Sequence, residues 1–316
     1  NFFSVDARSS DGNTYYDATL TNTGNDVDKT KNNYAKNFTY LSSRNATFSV
    51  GGNATGGTHT TENFTVTSRE DVDDWGSELI VGGTTTIIAQ NEAGTTNYDI
   101  ELNDVDHDFA TIKVTGANVT LVDANAIVLG ASTVTGTYAV TATAGGSITN
   151  SGPLAITGAA TFTAAGSQSI TLNESNTFSS TVAFSSGGTL ANVEVKDTTA
   201  FVLAETANLT LSGDLTVTTV AGGLSDTNIL VVPGTTTITA TGQTVVLNNT
   251  SNNFGTVIFT GTGNGVTSVD VEDTNDIVIG TSKSSGDFKV TAGGNITDDG
   301  IITISESVST LYAITD

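Results

Sequence analysis

"VTLVDANAIVLG" fills Val119–Gly130, and the chain writes the same line twice more, as "VEVKDTTAFVLA" from Val193 and "VDVEDTNDIVIG" from Val269. Apolar residues stand at places one, three, nine and eleven in all three. Asp stands at place five: Asp123, Asp197 and Asp273. Alternation of apolar with polar or small side chains has a period of two, which is the signature of strands with one buried face. Each line therefore reads as two short strands with an aspartate at the corner between them.

Two further marks recur in step with this one. A Gly-Thr-rich strand begins at Gly83, Gly158 and Gly234, in near-equal steps of about 75 residues. "IELND" at Ile100, "ITLNE" at Ile170 and "VVLNN" at Val245 are each followed closely by a phenylalanine: Phe109, Phe178 and Phe254. Upstream, "NFTVT" at Asn63 matches "DLTVT" at Asp214. "YLSSRNATFSVG" at Tyr40 matches the opening line with Arg44 in the aspartate's place, and "ATLTN" at Ala18 matches "ITLNE". The whole chain is about four copies of one unit of roughly 75 residues.

A closed sandwich or barrel has no reason to reproduce one strand pattern four times. A solenoid does, because each unit touches only its neighbours and tolerates insertions such as "QNEAGTTN". The expected fold is all-β, a repeat solenoid of the parallel β-helix type, with three or four coils of about 19–24 residues in each unit. Inward Val, Ile, Leu and Phe should stack in ladders, and Thr and Ser should face water. Residues 81–316 form the regular array. Residues 1–80 form a degenerate first copy that holds Arg8, Lys29, Lys31, Lys36, Arg44 and Arg69, six of the ten basic residues, and reads as a cap or assembly region. The last copy stops where a new Gly-Thr strand would start, so a longer parent is expected.

Composition narrows function by exclusion. The 33 acidic against 10 basic residues give a net charge of −23. Such a field repels phosphate backbones, so no nucleic-acid partner is expected. There is no Cys, hence no disulfide framework and no thiolate chemistry. No apolar run reaches the length of a membrane span.

The run "VTLVDANAIVLGASTVTGTYAVTATAGGSITNSGPLAITGAATFTA" resembles the repeats of large bacterial exported adhesins of the filamentous-haemagglutinin type. The resemblance covers Gly83 to about Ser305 and implies a right-handed parallel β-helix. It also implies an exported protein at the bacterial surface or outside the cell.

Candidate sites are few. In "NDVDHD", Asn103, Asp104, Asp106 and Asp108 offer the oxygen ligands that calcium prefers, without the Gly and Glu of a complete EF-hand loop. His59 and His107 stand apart from any metal-ligand spacing and read as solvated loop histidines. Asp123, Asp197 and Asp273 read as corner residues bonded to backbone. "REDVDD" at Arg69–Asp74 and "DVEDTND" at Asp270–Asp276 supply carboxylates, but every copy has them, whereas an active site breaks a repeat locally. Asn37, Asn45, Asn53 and Asn63 fit the glycosylation triplet, which a chain this rich in Asn, Ser and Thr makes by chance. Outward threonines such as Thr235–Thr239 would order water only in flat ranks, and the coils read as too varied for that. The expected function is a non-enzymatic extracellular structural or adhesive protein, an elongated β-helical rod with no catalytic residues. The alternatives are a filament or sheath subunit that self-associates through strand edges, and a calcium- or glycan-binding module.

Overall fold

The structure is a computed structural model that describes residues 62–74, 78–203, 207–305 and 309–313 without a break. Of residues 1–61 it describes 2–3, 7, 9–10, 14, 16–20, 26–27, 33–35, 38–41, 46–47 and 57–60. Arg8, Lys29, Lys31, Lys36, Arg44, Asn37, Asn45 and Asn53 lie outside the described residues, and with them most of the reading of the first 80 residues as a cap.

Among the described residues every regular element is a β-strand and none is a helix. The chain divides into two compact units, Asn1–Ala159 and Ala160–Asp316. In the first unit, parallel strands stack in three columns. One column runs through Val72–Asp73, Ile100–Leu102, Val119–Asp123 and Tyr138–Ala142, with Val72, Ile100, Val119 and Tyr138 in one register. A second takes Phe64–Ser68, the later halves of Glu78–Ala89 and Asp108–Gly116, then Ser132–Val134 and Leu154–Ile156. The third holds Gly57–Thr60, the opening residues of those two long strands, and then Ile127–Leu129 against Ile148–Asn150.

The circuit that brings Thr137 back over Asn118, and so Tyr138 over Val119, is 19 residues long. The one that brings Asp99 over Asp71, and so Ile100 over Val72, is 28 residues long. It exceeds the expected length because the "QNEAGTTN" insertion lies there. That insertion closes on itself through an antiparallel bridge from Gln90 to Asn97, and Asn91 Oδ1 accepts the Thr95 and Thr96 N–H groups. The coil on either side keeps its register, which is how a solenoid absorbs added length.

The second unit repeats the plan. Val193, Leu215, Thr236 and Val257 lie on successive coils of one column. Another column stacks Phe201–Leu203, Leu224–Asp226, Thr244–Leu247, Ser268–Asp273, Phe288–Ala292 and Ser309–Ala313. The third takes Leu209–Thr210 and the opening residues of Leu230–Thr239 and Asn253–Thr260, then Ile277–Ile279 against Ile296–Asp298. The architecture is an all-β parallel solenoid, in agreement with the expected right-handed parallel β-helix.

The alternation seen in the sequence is the alternation of burial. Val195, Val217, Ile238 and Phe259 are buried, while Lys196, Thr218, Thr239 and Thr260 between the rungs face outward. Each buried Val, Leu, Ile or Phe contributes ~1.5–3 kcal/mol, so the inward ladders supply most of the stabilisation. The glycine that opens the Gly-Thr strand has a steric cause. A Cβ on Gly83 would lie 2.3 Å from the Glu62 carbonyl oxygen, and one on Gly234 would lie 2.6 Å from that of Gly213, both on the preceding coil.

The sequence repeat is not a whole number of coils. From Val193, three coils lead through Leu215 and Thr236 to Val257, and a fourth to Ile279. The next copy of the line begins at Val269, between those rungs, and its strand Ser268–Asp273 stands in a different column. Equivalent sequences therefore occupy different sides of the solenoid, and what they share must be local to a corner rather than to a side.

Candidate functional site

The shared local feature is a carboxylate staple. Asp123, Asp197 and Asp273 are buried at the end of their strands. Asp123 Oδ2 accepts the Phe109 N–H at 2.7 Å, Asp197 Oδ2 accepts that of Phe178 at 2.9 Å, and Asp273 Oδ2 accepts that of Phe254 at 2.6 Å. The other oxygen, Oδ1, takes the N–H two residues on, from Asn125, Thr199 and Asn275. The next backbone N–H, of Ala124, Thr198 and Thr274, reaches the carbonyl of His107, Asn176 and Asn252. At a corner where the ladder would break, the aspartate thus supplies the missing acceptor of a strand rung. The recurrent phenylalanine and the recurrent aspartate, separate marks in the sequence, are the two halves of this joint. Burial raises the Asp123 carboxyl from 3.8 to about 6, with Asp108 adding to the rise, against the pull of the Phe109 and Asn125 N–H groups and of His107. Burial raises Asp273 too, opposed by the Phe254 and Asn275 N–H groups.

Two residues before each of these phenylalanines stands a buried polar side chain, and here His107 departs from expectation. It is fully buried rather than solvated. Its Nδ1 accepts the Leu79 N–H at 2.9 Å, its Nε2 lies 2.7 Å from Asp74 Oδ2, and its ring lies 5.1 Å from that of Phe109. Asn252 fills the same place with the same bonds. Its Oδ1 accepts the Leu230 N–H at 2.8 Å, and its Nδ2 donates to Asp226 Oδ2 at 2.6 Å. Asn176 Nδ2 donates to the Leu172 and Lys196 carbonyls. The signal was present in the sequence: "HDF", "NTF" and "NNF" align at His107, Asn176 and Asn252. His59 lies in the strand Gly57–Thr60, its backbone alone described.

A second rule governs the coil corners. An Asn or Asp placed just before a strand accepts the N–H of its counterpart one coil later. Asp71 takes Asp99, Asp99 takes Asn118, and Asn118 takes Thr137, all at 2.9–3.0 Å. In the second unit Asn192 takes Asp214, Asp214 takes Thr235, and Asp276 takes Asn295. Asn63, offered as a glycosylation triplet, does the same for Thr84. The acidic runs are largely spent in this way. In "REDVDD", Asp71 is a rung and Asp74 a buried partner of His107. In "DVEDTND", Asp270 pairs with Lys289 at 3.0 Å, Asp273 is a staple and Asp276 is a rung.

Asn103, Asp104, Asp106 and Asp108 come together in one turn leading into the strand Asp108–Gly116. The Asn103 and Asp104 N–H groups both point to Asp74 Oδ2, the Asn103 amide donates to Glu101, and Asp104 Oδ1 accepts the Asp106 N–H at 2.9 Å. Among the described residues no three His, Asp or Glu side chains gather as a metal-holding group. No helix of the described residues is long and apolar enough to cross a membrane.

The outward threonines are more regular than their sequence suggests. Thr218, Thr239 and Thr260 stand side by side on three adjacent coils, with Thr216 beside Thr237 and Thr235 beside Thr256. Side-by-side threonines therefore run over three adjacent coils on this side. One surface hollow, of about 460 Å³, lies between Phe178–Val182 and Thr199–Val202 and has no charged lining residue.

A stack of parallel coils whose carboxylates and amides serve the joints defines a repeat protein of the parallel β-helix class. The chain belongs to the family described as Repeats of unknown function (DUF5649), which it matches in four copies over residues 43–115, 116–185, 190–261 and 264–315. The last three copies open within a few residues of the lines at Val119, Val193 and Val269. Comparison with curated proteins and with solved structures gave no match.

Proposed function

We propose that this chain is a non-enzymatic structural or adhesive protein that works outside the cell, with the β-solenoid as scaffold and its outward polar ranks as contact surface. The observation that carries the reading is the use made of its reactive side chains. Asp71, Asp74, Asp99, Asp123, Asp197, Asp214, Asp273 and Asp276 each bond to the backbone or side chain of another coil, so the residues that would do acid–base chemistry are committed to holding coils together. The likeness to exported adhesins of the filamentous-haemagglutinin type supports the location. The uncharged rank of Thr218, Thr239 and Thr260 offers a repetitive hydroxyl surface suited to a repetitive neutral ligand such as a glycan chain.

The test is a glycan array and a panel of neutral and acidic polysaccharides, scored both for retention of the chain and for cleavage. Retention without cleavage, weakened by T239K at the centre of the rank, is the expected result. Turnover of any polysaccharide would overturn the non-enzymatic reading. Retention unchanged in T239K would remove the rank as the contact surface.

A further inference from the structure

In the whole chain one asparagine is followed by glycine: Asn264, ahead of Gly265. The pair stands in the turn between the strands Asn253–Thr260 and Ser268–Asp273. Gly263 has a φ of 60°, Asn264 has a negative one, and the Gly265 N–H donates to the Thr262 carbonyl at 3.1 Å, which is the pattern of a type II′ turn. Asn264 is exposed, and among the described residues its side chain has no hydrogen-bond partner. Other asparagines are held. Asn118, Asn192 and Asn252 each accept an N–H from a neighbouring coil, and the residue after each, Val119, Val193 or Asn253, carries a side chain.

The difference is chemical. The backbone nitrogen after an asparagine attacks its side-chain Cγ once solvent base has taken the amide proton. A side chain on the attacking residue crowds that approach, and glycine has none. The new N–Cγ bond closes a five-membered succinimide ring as the bond from Cγ to the side-chain nitrogen breaks and ammonia leaves. Water then opens the ring at either carbonyl, giving aspartate, or isoaspartate with the chain running through Cγ. Water is the only reagent consumed.

We propose that Asn264 is a self-modification site, the residue at which this chain deamidates first, and that opening of the turn sets the rate. While the Gly265 N–H is bonded to Thr262, its nitrogen is not free to attack, so each reaction waits for the turn to open. The isoaspartate product adds one atom to the backbone between residues 264 and 265. Gly265 is buried, its carbonyl accepts the Gly242 N–H of the preceding coil at 2.9 Å, and a Cβ placed on it would overlap the Lys283 carbonyl of the following one. A corner packed that closely has no room for the added atom, so isoaspartate releases the Gly242 N–H and loosens the contact between coils.

The experiment is a timed incubation of the full chain at pH 8. It is read by peptide mapping that separates aspartate from isoaspartate, beside amide hydrogen exchange of fresh and aged protein. A synthetic peptide of residues 260–267 gives the unhindered rate. Asn264 should convert before any other asparagine. Its slowing relative to the peptide should match the exchange protection of the Gly265 amide within about a factor of three, because one opening governs both. Exchange at Gly242 should rise ~tenfold in the isoaspartate fraction and stay unchanged in N264D, which has the product's charge without the added atom. Earlier conversion of another asparagine would overturn the assignment. An intact Asn264 in a chain whose Gly265 amide exchanges would rule out the reaction, and conversion faster than that exchange would remove the turn as its gate. Aspartate formed without isoaspartate would exclude the succinimide route. Equal Gly242 exchange in fresh and isoaspartate chains would refute the loosening.

Discussion

At the scale of single residues, the staple aspartates set both local stability and its pH dependence. Asp197 accepts three donors, the N–H of Phe178 and the N–H and hydroxyl of Thr199. D197A leaves buried donors without an acceptor and should cost ~2–4 kcal/mol, and D197N, which keeps one oxygen, about half of that; denaturant melts of the two variants measure the difference. Asp123 shows the linkage. Its carboxyl is raised to about 6 in the folded chain from an ordinary 3.8, so the folded state holds this proton more tightly than the unfolded state does. The stabilisation from that proton is complete below about pH 4 and is lost as the pH rises through 6, up to ~3 kcal/mol. Asp226 and Asp273 shift in the same direction, also through burial. Melting temperatures of the wild type at constant ionic strength should fall from pH 4 to pH 6, and D123N should show a shallower fall. An identical slope in D123N would mean that Asp123 is ionised throughout. The aspartate's place in each copy was legible in the sequence, as was its bond to backbone. Its partner was not, because Phe109 precedes Asp123 by 14 residues and the contact exists only once one coil lies on another.

At the scale of elements, strands and corners follow different rules. Strand interiors are selected for burial: Ile238 is fully buried between Val217 and Phe259, and I238A should cost ~2–5 kcal/mol by thermal or denaturant melting. Corners are selected for an acceptor oxygen and not for charge. Asn192 and Asp214 do the same work on successive coils, each taking the N–H of the residue above. D214N should therefore leave stability within ~0.5 kcal/mol, while D214A should lose ~1 kcal/mol by freeing the exposed Thr235 N–H to water. An equal loss in both would show that the charge is what matters. Period-two alternation made the strands readable, and "QNEAGTTN" was readable as an insertion. The corner ladder was not, because single Asn and Asp residues before strands look like ordinary turn formers until their partners 19 to 28 residues later are known. The burial of His107 is hidden for a related reason. A histidine between acids looks solvated, and only its alignment with Asn176 and Asn252 shows that it points inward.

At the scale of the chain, the coil is the folding unit and the longer sequence repeat is laid over it. The two differ in length, so the copies at Val193 and Val269 fall in different columns while their corners stay alike. A solenoid of this kind should tolerate removal of one whole coil and not of half a coil. In the first unit Val119 and Tyr138 share a register one circuit apart, and Asp123 stands beside Ala142. Deleting residues 119–137 joins Asn118 to Tyr138, leaves Ile100 facing Tyr138, and keeps every later strand on its own side. That variant should fold with an unchanged β-sheet circular dichroism signal per residue and a lower melting temperature. Part of the loss has a named cause, because the Phe109 N–H is left without the Asp123 carboxylate. Placing the carboxylate on the coil that now follows, by A142D, should recover part of the melting temperature. Deleting residues 119–128 instead turns Leu129 and all that follows to the wrong column, and should give a chain that is insoluble or lacks cooperative unfolding. If the half-coil deletion melts as well as the whole-coil deletion, the coil is not the unit of this fold.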